Sequence, residues 1–207
     1  KEFKKNKLVQ QEILLKELDA TQYAKDIIKH LATLNVEKGS EVLAAKLSTE
    51  VERYDFAIQI SKQASYEKRF FHKYNYPIIR TPKIINKKQM PNSEVILAII
   101  RQESEFDRKA NSWAGARGMM QLMKYTAKLV AKQAKLPYSI SGLTQDPEYN
   151  IKLGSYYFNS LMEDYNGVYP FAIAAYNAGP NRVKTWRRVN GDPSKGKHIN
   201  DQYFIIS

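Results

Sequence analysis

Glu103 is an acid on an apolar stripe. Counting back three, four and seven positions reaches Ile100, Ile99 and Ile96, so a helix through this segment carries the carboxyl on the same face as three isoleucines, near its C-terminal end. Burial and the negative end of the helix dipole both disfavour the charged form and raise the pKa. A carboxylic acid still protonated near neutral pH can donate to a glycosidic oxygen and afterwards take a proton back. The plainer reading is a helix-end glutamate that reaches solvent or pairs with Arg101 or Arg108.

An absence sharpens the first reading. Glycoside cleavage by two carboxylates needs a second acid roughly 5–10 Å from the first. Residues 108–145 contain none, while seven lysines and arginines lie between Arg108 and Lys135. If Glu103 is catalytic, the segment that follows it supplies no partner, which points to a one-carboxylate mechanism assisted by the substrate. Other chemistries lack their residues. The chain has no cysteine, which excludes a disulfide scaffold, thiolate metal sites and a cysteine nucleophile. His30, His72 and His198 lie far apart and form no ligand pair, so a metal hydrolase is not expected.

The elements that must hold this acid are mainly helical. Of 207 residues, 43% are hydrophobic and 12% aromatic, enough for a packed core and too apolar for a disordered basic tail. Apolar stripes predict helices over Leu8–Leu18, from Tyr23 to Leu34, through Val42, Leu43, Leu47 and Val51, and through Phe56, Ile58, Ile60 and Ala64. They read as helical hairpins, a solenoid-like domain over residues 1–88. Phe70, Phe71, Tyr74 and Tyr76 form an aromatic cluster expected to pack. Three prolines and four basic residues from Pro77 to Pro91 break the periodicity and mark the boundary.

In the second domain, residues 89–207, Asn92 or Ser93 is expected to cap a helix running to about Ser104. Residues 107–118 should be loop or short hairpin, and helix resumes from about Met119 to Lys135. Asp146-Pro147 starts a helix reaching about Tyr165, Pro170 one that ends near Asn177-Ala178-Gly179, and Pro180 the next, through Val183 and Trp186. No run approaches the roughly 20 apolar residues of a membrane span.

Three blocks carry a family resemblance. Arg101-Gln102-Glu103-Ser104, Ser112 to Met123 (SWAGARGMMQLM) and Ala174 to Val183 (AAYNAGPNRV) are similar to the signature blocks of the soluble lytic transglycosylases, in the family's order. Asp146-Pro147 and Asn150-Ile151 also match, and the likeness extends over about residues 77–190. It implies a lysozyme-like α+β catalytic domain with little β-structure, preceded by a helical linker domain. The implied reaction is non-hydrolytic cleavage of the β-1,4 bond between N-acetylmuramic acid and N-acetylglucosamine in peptidoglycan, in the periplasm, with Glu103 as acid and then base. No metal or cofactor is implied. Ser112, Gln121, Met123, Ala175 and Tyr176 are the implied substrate-binding residues. Ala175 would offer its backbone, and the Tyr176 hydroxyl would reach the catalytic carboxylate. Ser104, Gly115, Gly118 and Asn177 are the implied supporting residues, and Met120 is read as core.

Two departures accompany the likeness. Lys124 stands where the family has proline at the start of a helix, and the chain stops at Ser207, with Ile206 where some members carry a glutamate. A truncated catalytic domain is therefore expected. The formal charge of +12 suits peptidoglycan glycan strands with acidic peptide stems. Two alternatives remain open at this stage: a non-catalytic peptidoglycan-binding module, and a basic helical nucleic-acid-binding protein with aromatics such as Tyr54, Phe70, Phe71 and Tyr76 between its cations. Partners among cell-wall synthesis or division proteins are not identified by sequence.

Overall fold

A computed structural model describes residues 40–191. The helices expected over Leu8–Leu18 and from Tyr23 to Leu34, together with His30, His198 and Phe204 to Ser207, lie outside the described residues. The first described elements form a hairpin, α1 (Ser40–Glu50) on α2 (Tyr54–Tyr66), where the apolar stripes predict two helices. Its inner face buries Ala44, Ala45, Leu47, Phe56, Ile60 and Ala64. Arg53 fixes the turn through a two-pronged bond to the buried Asp55 carboxylate, at 3.0 and 2.7 Å.

A short helix, α3 (His72–Asn75), follows, and here the aromatic cluster departs from expectation. Phe70 and Tyr76 are exposed rather than packed; Phe70 stacks on the His72 ring with centroids 6.1 Å apart. A four-residue helix is too short to present a full apolar stripe, so the aromatics fall on different sides of it. The proline-broken stretch holds an antiparallel pair, β1 (Ile84–Ile85) and β2 (Lys88–Gln89), reversed through Asn86 and Lys87, both at positive φ.

The remaining helices are α4 (Ser93–Ser104), α5 (Lys124–Ala134), α6 (Gly142–Gln145), α7 (Pro147–Asp164), α8 (Tyr169–Ala178) and α9 (Pro180–Asn190). Two starts depart from the sequence reading. Asn92 precedes α4 without making a side-chain cap, and the Ser93 hydroxyl bonds Thr81 at 2.7 Å instead. Helix α5 opens at Lys124 and not Met119, because residues 119–122 are committed to a turn and a bridge. By contrast, Asp146 caps α7 as expected, accepting from the Tyr149 N–H at 3.0 Å.

Helix α7 is buried on two sides and divides the core. Ile151, Phe158 and Leu161 join Ile96 and Ile100 of α4, Phe171 and Ala172 of α8, Val183 of α9 and Ile58 of α2. Leu153 and Tyr156 face the other way, toward Ala127 and Val130 of α5, Leu122, Leu143, Ile85 of β1 and Met90 just after β2. Gly154 lies between the two groups. A Cβ there would stand 2.3 Å from the Met120 sulfur, so the missing side chain permits the close approach of α7 to the 119–122 segment.

Candidate active site

Glu103 occupies the last turn of α4, carried there by the burial of Ile100 and Ile96 one and two turns earlier. The helix stops at once: Glu105 and Phe106 both adopt left-handed conformations, at φ 51° and 66°. Phe106 is buried against the Tyr54 ring, which anchors the reversal and so fixes where the preceding turn ends. Among the described residues the Glu103 carboxylate forms no ion pair and no hydrogen bond, so neither Arg101 nor Arg108 partners it. Burial alone holds its pKa above the usual carboxylate range.

The wall beside it is the segment 110–122. Asn111 pairs with Arg117, and Arg117 with Leu122, giving a narrow ladder of two rungs. Ser104 donates to the Met119 carbonyl at 2.8 Å, and Tyr176 of α8 donates to the Met120 carbonyl at 2.7 Å. The turn carrying Met119 and Met120 is thus bonded to residues from both helices. From below, the fully buried Asn150 of α7 accepts from the Met120 N–H at 2.8 Å and donates to the carbonyls of Arg117 and Leu143, each at 3.0 Å. Gly118, at φ 73°, makes room for it: a Cβ would meet the Leu143 oxygen at 2.0 Å and the Asn150 amide nitrogen at 2.4 Å.

The expected site residues divide into several groups. Glu103, Ser104 and Tyr176 converge on this turn. The Tyr176 phenol stays protonated far above the ordinary tyrosine range, through burial first and the adjacent Glu103 charge second. Its proton goes to the Met120 carbonyl and not to the Glu103 carboxylate, which corrects the expected contact. Gln121 turns its amide N–H groups back onto the Gly118 and Ala110 carbonyls, at 2.9 and 3.4 Å. Ser112 accepts from the Ala116 N–H at 2.9 Å, closing the loop that contains Gly115. Met123 is exposed beside them, while Met120 is fully buried, as core packing requires.

Ala175, expected to offer its backbone, lies beside Tyr176 in the last turn of α8. It is fully buried and its carbonyl accepts from the Gly179 N–H at 2.9 Å, because the helix end must satisfy that donor. Asn177 is exposed and makes no side-chain hydrogen bond among the described residues.

Sequence reasoning passed over the role of Asn150. A polar side chain one position before Ile151, on a helix with apolar residues on both sides, was the available signal, the same kind that singled out Glu103. A separate cavity of about 880 Å³ opens behind the site, between Tyr54, Arg80, Lys83, Arg108, Glu148 and Lys152, and does not include Glu103. No group of three or more metal-ligating side chains occurs among the described residues.

Comparison with known proteins matches this architecture. Residues 81–199 match the family described as "Transglycosylase SLT domain". The soluble lytic murein transglycosylase of Escherichia coli K12 is 43% identical over 100 residues, which is 48% of this chain and 15% of that protein. A putative soluble lytic murein transglycosylase of Haemophilus influenzae is 47% identical over 94 residues, 44% of this chain and 15% of its own length. The chain therefore matches about one seventh of these curated relatives.

Among solved structures, the 70 kDa soluble lytic transglycosylase of Escherichia coli superposes with a TM-score of 0.76 at 25% identity, over 91% of this chain and 30% of that one. An inactive glutamate-to-glutamine mutant of the lytic transglycosylase Slt from Pseudomonas aeruginosa gives 0.70 at 27% identity, over 97% and 32%. A 70 kDa soluble lytic transglycosylase in complex with bulgecin A superposes with a TM-score of 0.74 at 25% identity, over 90% of this chain and 30% of that one. These superpositions bear out the expected fold class, mainly helical with one small β-pair. With the family match spanning more than half its length, the chain belongs to the lytic transglycosylase family.

Proposed function

We propose that this chain cleaves the β-1,4 bond between N-acetylmuramic acid and N-acetylglucosamine in peptidoglycan without water, leaving 1,6-anhydro ends. Glu103 is the catalytic residue. The observation that carries this reading is a half-buried carboxyl with a raised pKa and no bonding partner. In the proposed sequence the Glu103 proton passes to the glycosidic oxygen as the bond to the muramoyl C1 breaks. The substrate's own acetamido oxygen stabilises the cationic carbon. The ionised Glu103 then removes the proton of the C6 hydroxyl, whose oxygen bonds to C1. One carboxyl returns to its starting state, and no second acid is required.

The surroundings support a single acid. Glu105 is tied to Lys62 at 2.6 Å and Arg101 at 3.2 Å, and Asp107 accepts from the Lys109 N–H at 2.8 Å. Tyr176 and Ser104 act as positioning residues, holding the turn through Met119 and Met120 against the helix end. Ser112, Gln121 and Met123 border the glycan path, with Gly115, Gly118 and Asn177 as supports. The seven cations from Arg108 to Lys135 form no ion pairs among the described residues, and they suit the carboxylates of peptide stems. Residues 1–88 serve as a helical linker domain and residues 89–207 as the catalytic domain. A murein substrate implies a periplasmic setting. That a glutamate-to-glutamine mutant of the Pseudomonas relative is inactive agrees with a glutamate as the reacting group.

The decisive experiment compares the chain and Glu103→Gln on purified sacculi, with released muropeptides weighed by mass spectrometry. Products lighter than the hydrolytic ones by one water, absent with the variant, are expected. Fully hydrated reducing ends would overturn the non-hydrolytic mechanism, and retained sacculus binding without release would favour a binding module.

A further inference from the structure

Trp113 stands apart from the other aromatics of the described residues. Its side chain is 101% exposed, as open as in an isolated peptide, whereas Trp186 is partly buried against the core. Single exposed apolar residues are ordinary on protein surfaces. What distinguishes this one is its mount. The Ser112 N–H donates to the Ala116 carbonyl at 2.9 Å, the Ala116 N–H to the Ser112 hydroxyl at 2.9 Å, and the Gly115 N–H to the Ser112 carbonyl at 2.9 Å. Three bonds within five residues hold the tip, so the indole is presented by an ordered turn rather than a loose loop.

The mount also has an address. The tip closes the Asn111–Arg117 rung, and Arg117 pairs in turn with Leu122, which follows the turn bonded to Ser104 and Tyr176. The tip is thus joined through two bridges to the turn that Ser104 and Tyr176 hold beside Glu103. Two further exposed apolar side chains follow the segment, Met123 directly after it and Tyr125 in the first turn of α5. No acid lies in residues 108–145 to repel a strand bearing carboxylates.

Resting on the reading of Glu103 as the cleaving group, we infer that Trp113 is a sugar-stacking platform that holds a pyranose ring of the glycan away from the bond being broken. A pyranose carries axial C–H groups on a flat apolar face, and a rigid indole offers matching area at little entropic cost. Because the contact is remote from the reacting atoms and equal in ground and transition states, it governs KM and leaves kcat unchanged.

The chain's two tryptophans allow a direct test. Trp186→Phe leaves Trp113 as the sole indole, and Glu103→Gln in the same protein keeps the strands intact. Titration with soluble uncrosslinked glycan strands is expected to give a saturable blue shift of its emission. In the otherwise unaltered chain, Trp113→Ala should raise KM for the same strands about tenfold with kcat within about twofold, and Trp113→Phe should recover most of the loss.

Unchanged KM in Trp113→Ala, or unchanged emission at strand concentrations that saturate turnover, would overturn the platform. If the unaltered chain releases nothing from sacculi while strands still shift the emission, the platform stands and the cleavage reading falls. If neither occurs, both fall.

Discussion

Glu103 and Glu105 are two residues apart on one helix end and live in opposite electrostatic worlds. Both lose hydration. At Glu103 nothing compensates, and the pKa rises. At Glu105 burial pushes upward first, but the hydrogen bonds and charges of Lys62 and Arg101 outweigh it and hold the carboxyl below its usual range. The cleft side of α4 therefore keeps a group able to exchange a proton, while the side facing α2 uses the same residue type as a fixed anion between two elements. Arg101 extends that fixed network to the Asn75 carbonyl and side chain, at 3.1 and 3.0 Å. Identity of the side chain decides little here; the partner decides the role.

The strongest way to break this contrast is Glu103→Gln. Turnover of sacculi should fall by about 10³-fold or more. Stability should move the other way. A raised folded pKa means the fold disfavours the ionised form, so the penalty is absent below the ordinary glutamate pKa and full above the raised one. The variant should then unfold at a higher temperature than the native chain near neutral pH and at the same temperature in acid. In the unaltered chain, the rate should decline as pH rises through that same raised value. A variant less stable at neutral pH would show that Glu103 has a partner in solution.

Asn150→Ala probes what holds the cleft side in place. It would leave the Met120 N–H and the Leu143 carbonyl without the amide and strip the Arg117 carbonyl of one of its two donors, the other being the Leu122 N–H, and denaturant unfolding should show a loss of about 3 kcal/mol. A loss below about 1 kcal/mol would mean that water replaces the amide. Tyr176→Phe removes only the donor to the Met120 carbonyl. About 1 kcal/mol of stability should go, with a lowered kcat and a shifted alkaline limb of the pH profile. A change in KM alone would assign Tyr176 to substrate binding instead.

Glu105→Gln should have the smallest effect. Its folded pKa is depressed, so its contribution is present above the ordinary glutamate pKa and lost as pH falls through the lowered value. The side chain is 30% exposed, and about 0.5–1 kcal/mol at neutral pH is expected, vanishing in acid, with turnover nearly intact. Loss of turnover matching that of Glu103→Gln would erase the distinction between the two faces.

The sequence made the helices legible where periodicity and punctuation agree. Asp146-Pro147 and Gly179-Pro180 mark real helix ends because the cap and the proline act locally. The start of α5 was misread because Met119, Met120 and Leu122 are buried by packing against α7 and α5 themselves, and a short apolar run looks the same in either conformation. Glu103 was legible from one helix alone. Asn150 was not, since its three bonds go to Met120, Arg117 and Leu143, distant in sequence.

Gly154 lies in the middle of α7, touching no proposed substrate, and yet it sets how closely that helix approaches the turn through Met119 and Met120. The Met120 sulfur occupies the space where any larger residue would put its first carbon. A single methyl group would act as a shim, lifting the turn whose carbonyls receive the protons of Ser104 and Tyr176 and tilting both away from Glu103. The calibration of the site is thus held by an atom that is not there, and the most damaging change to its alignment need not alter any residue with chemistry of its own.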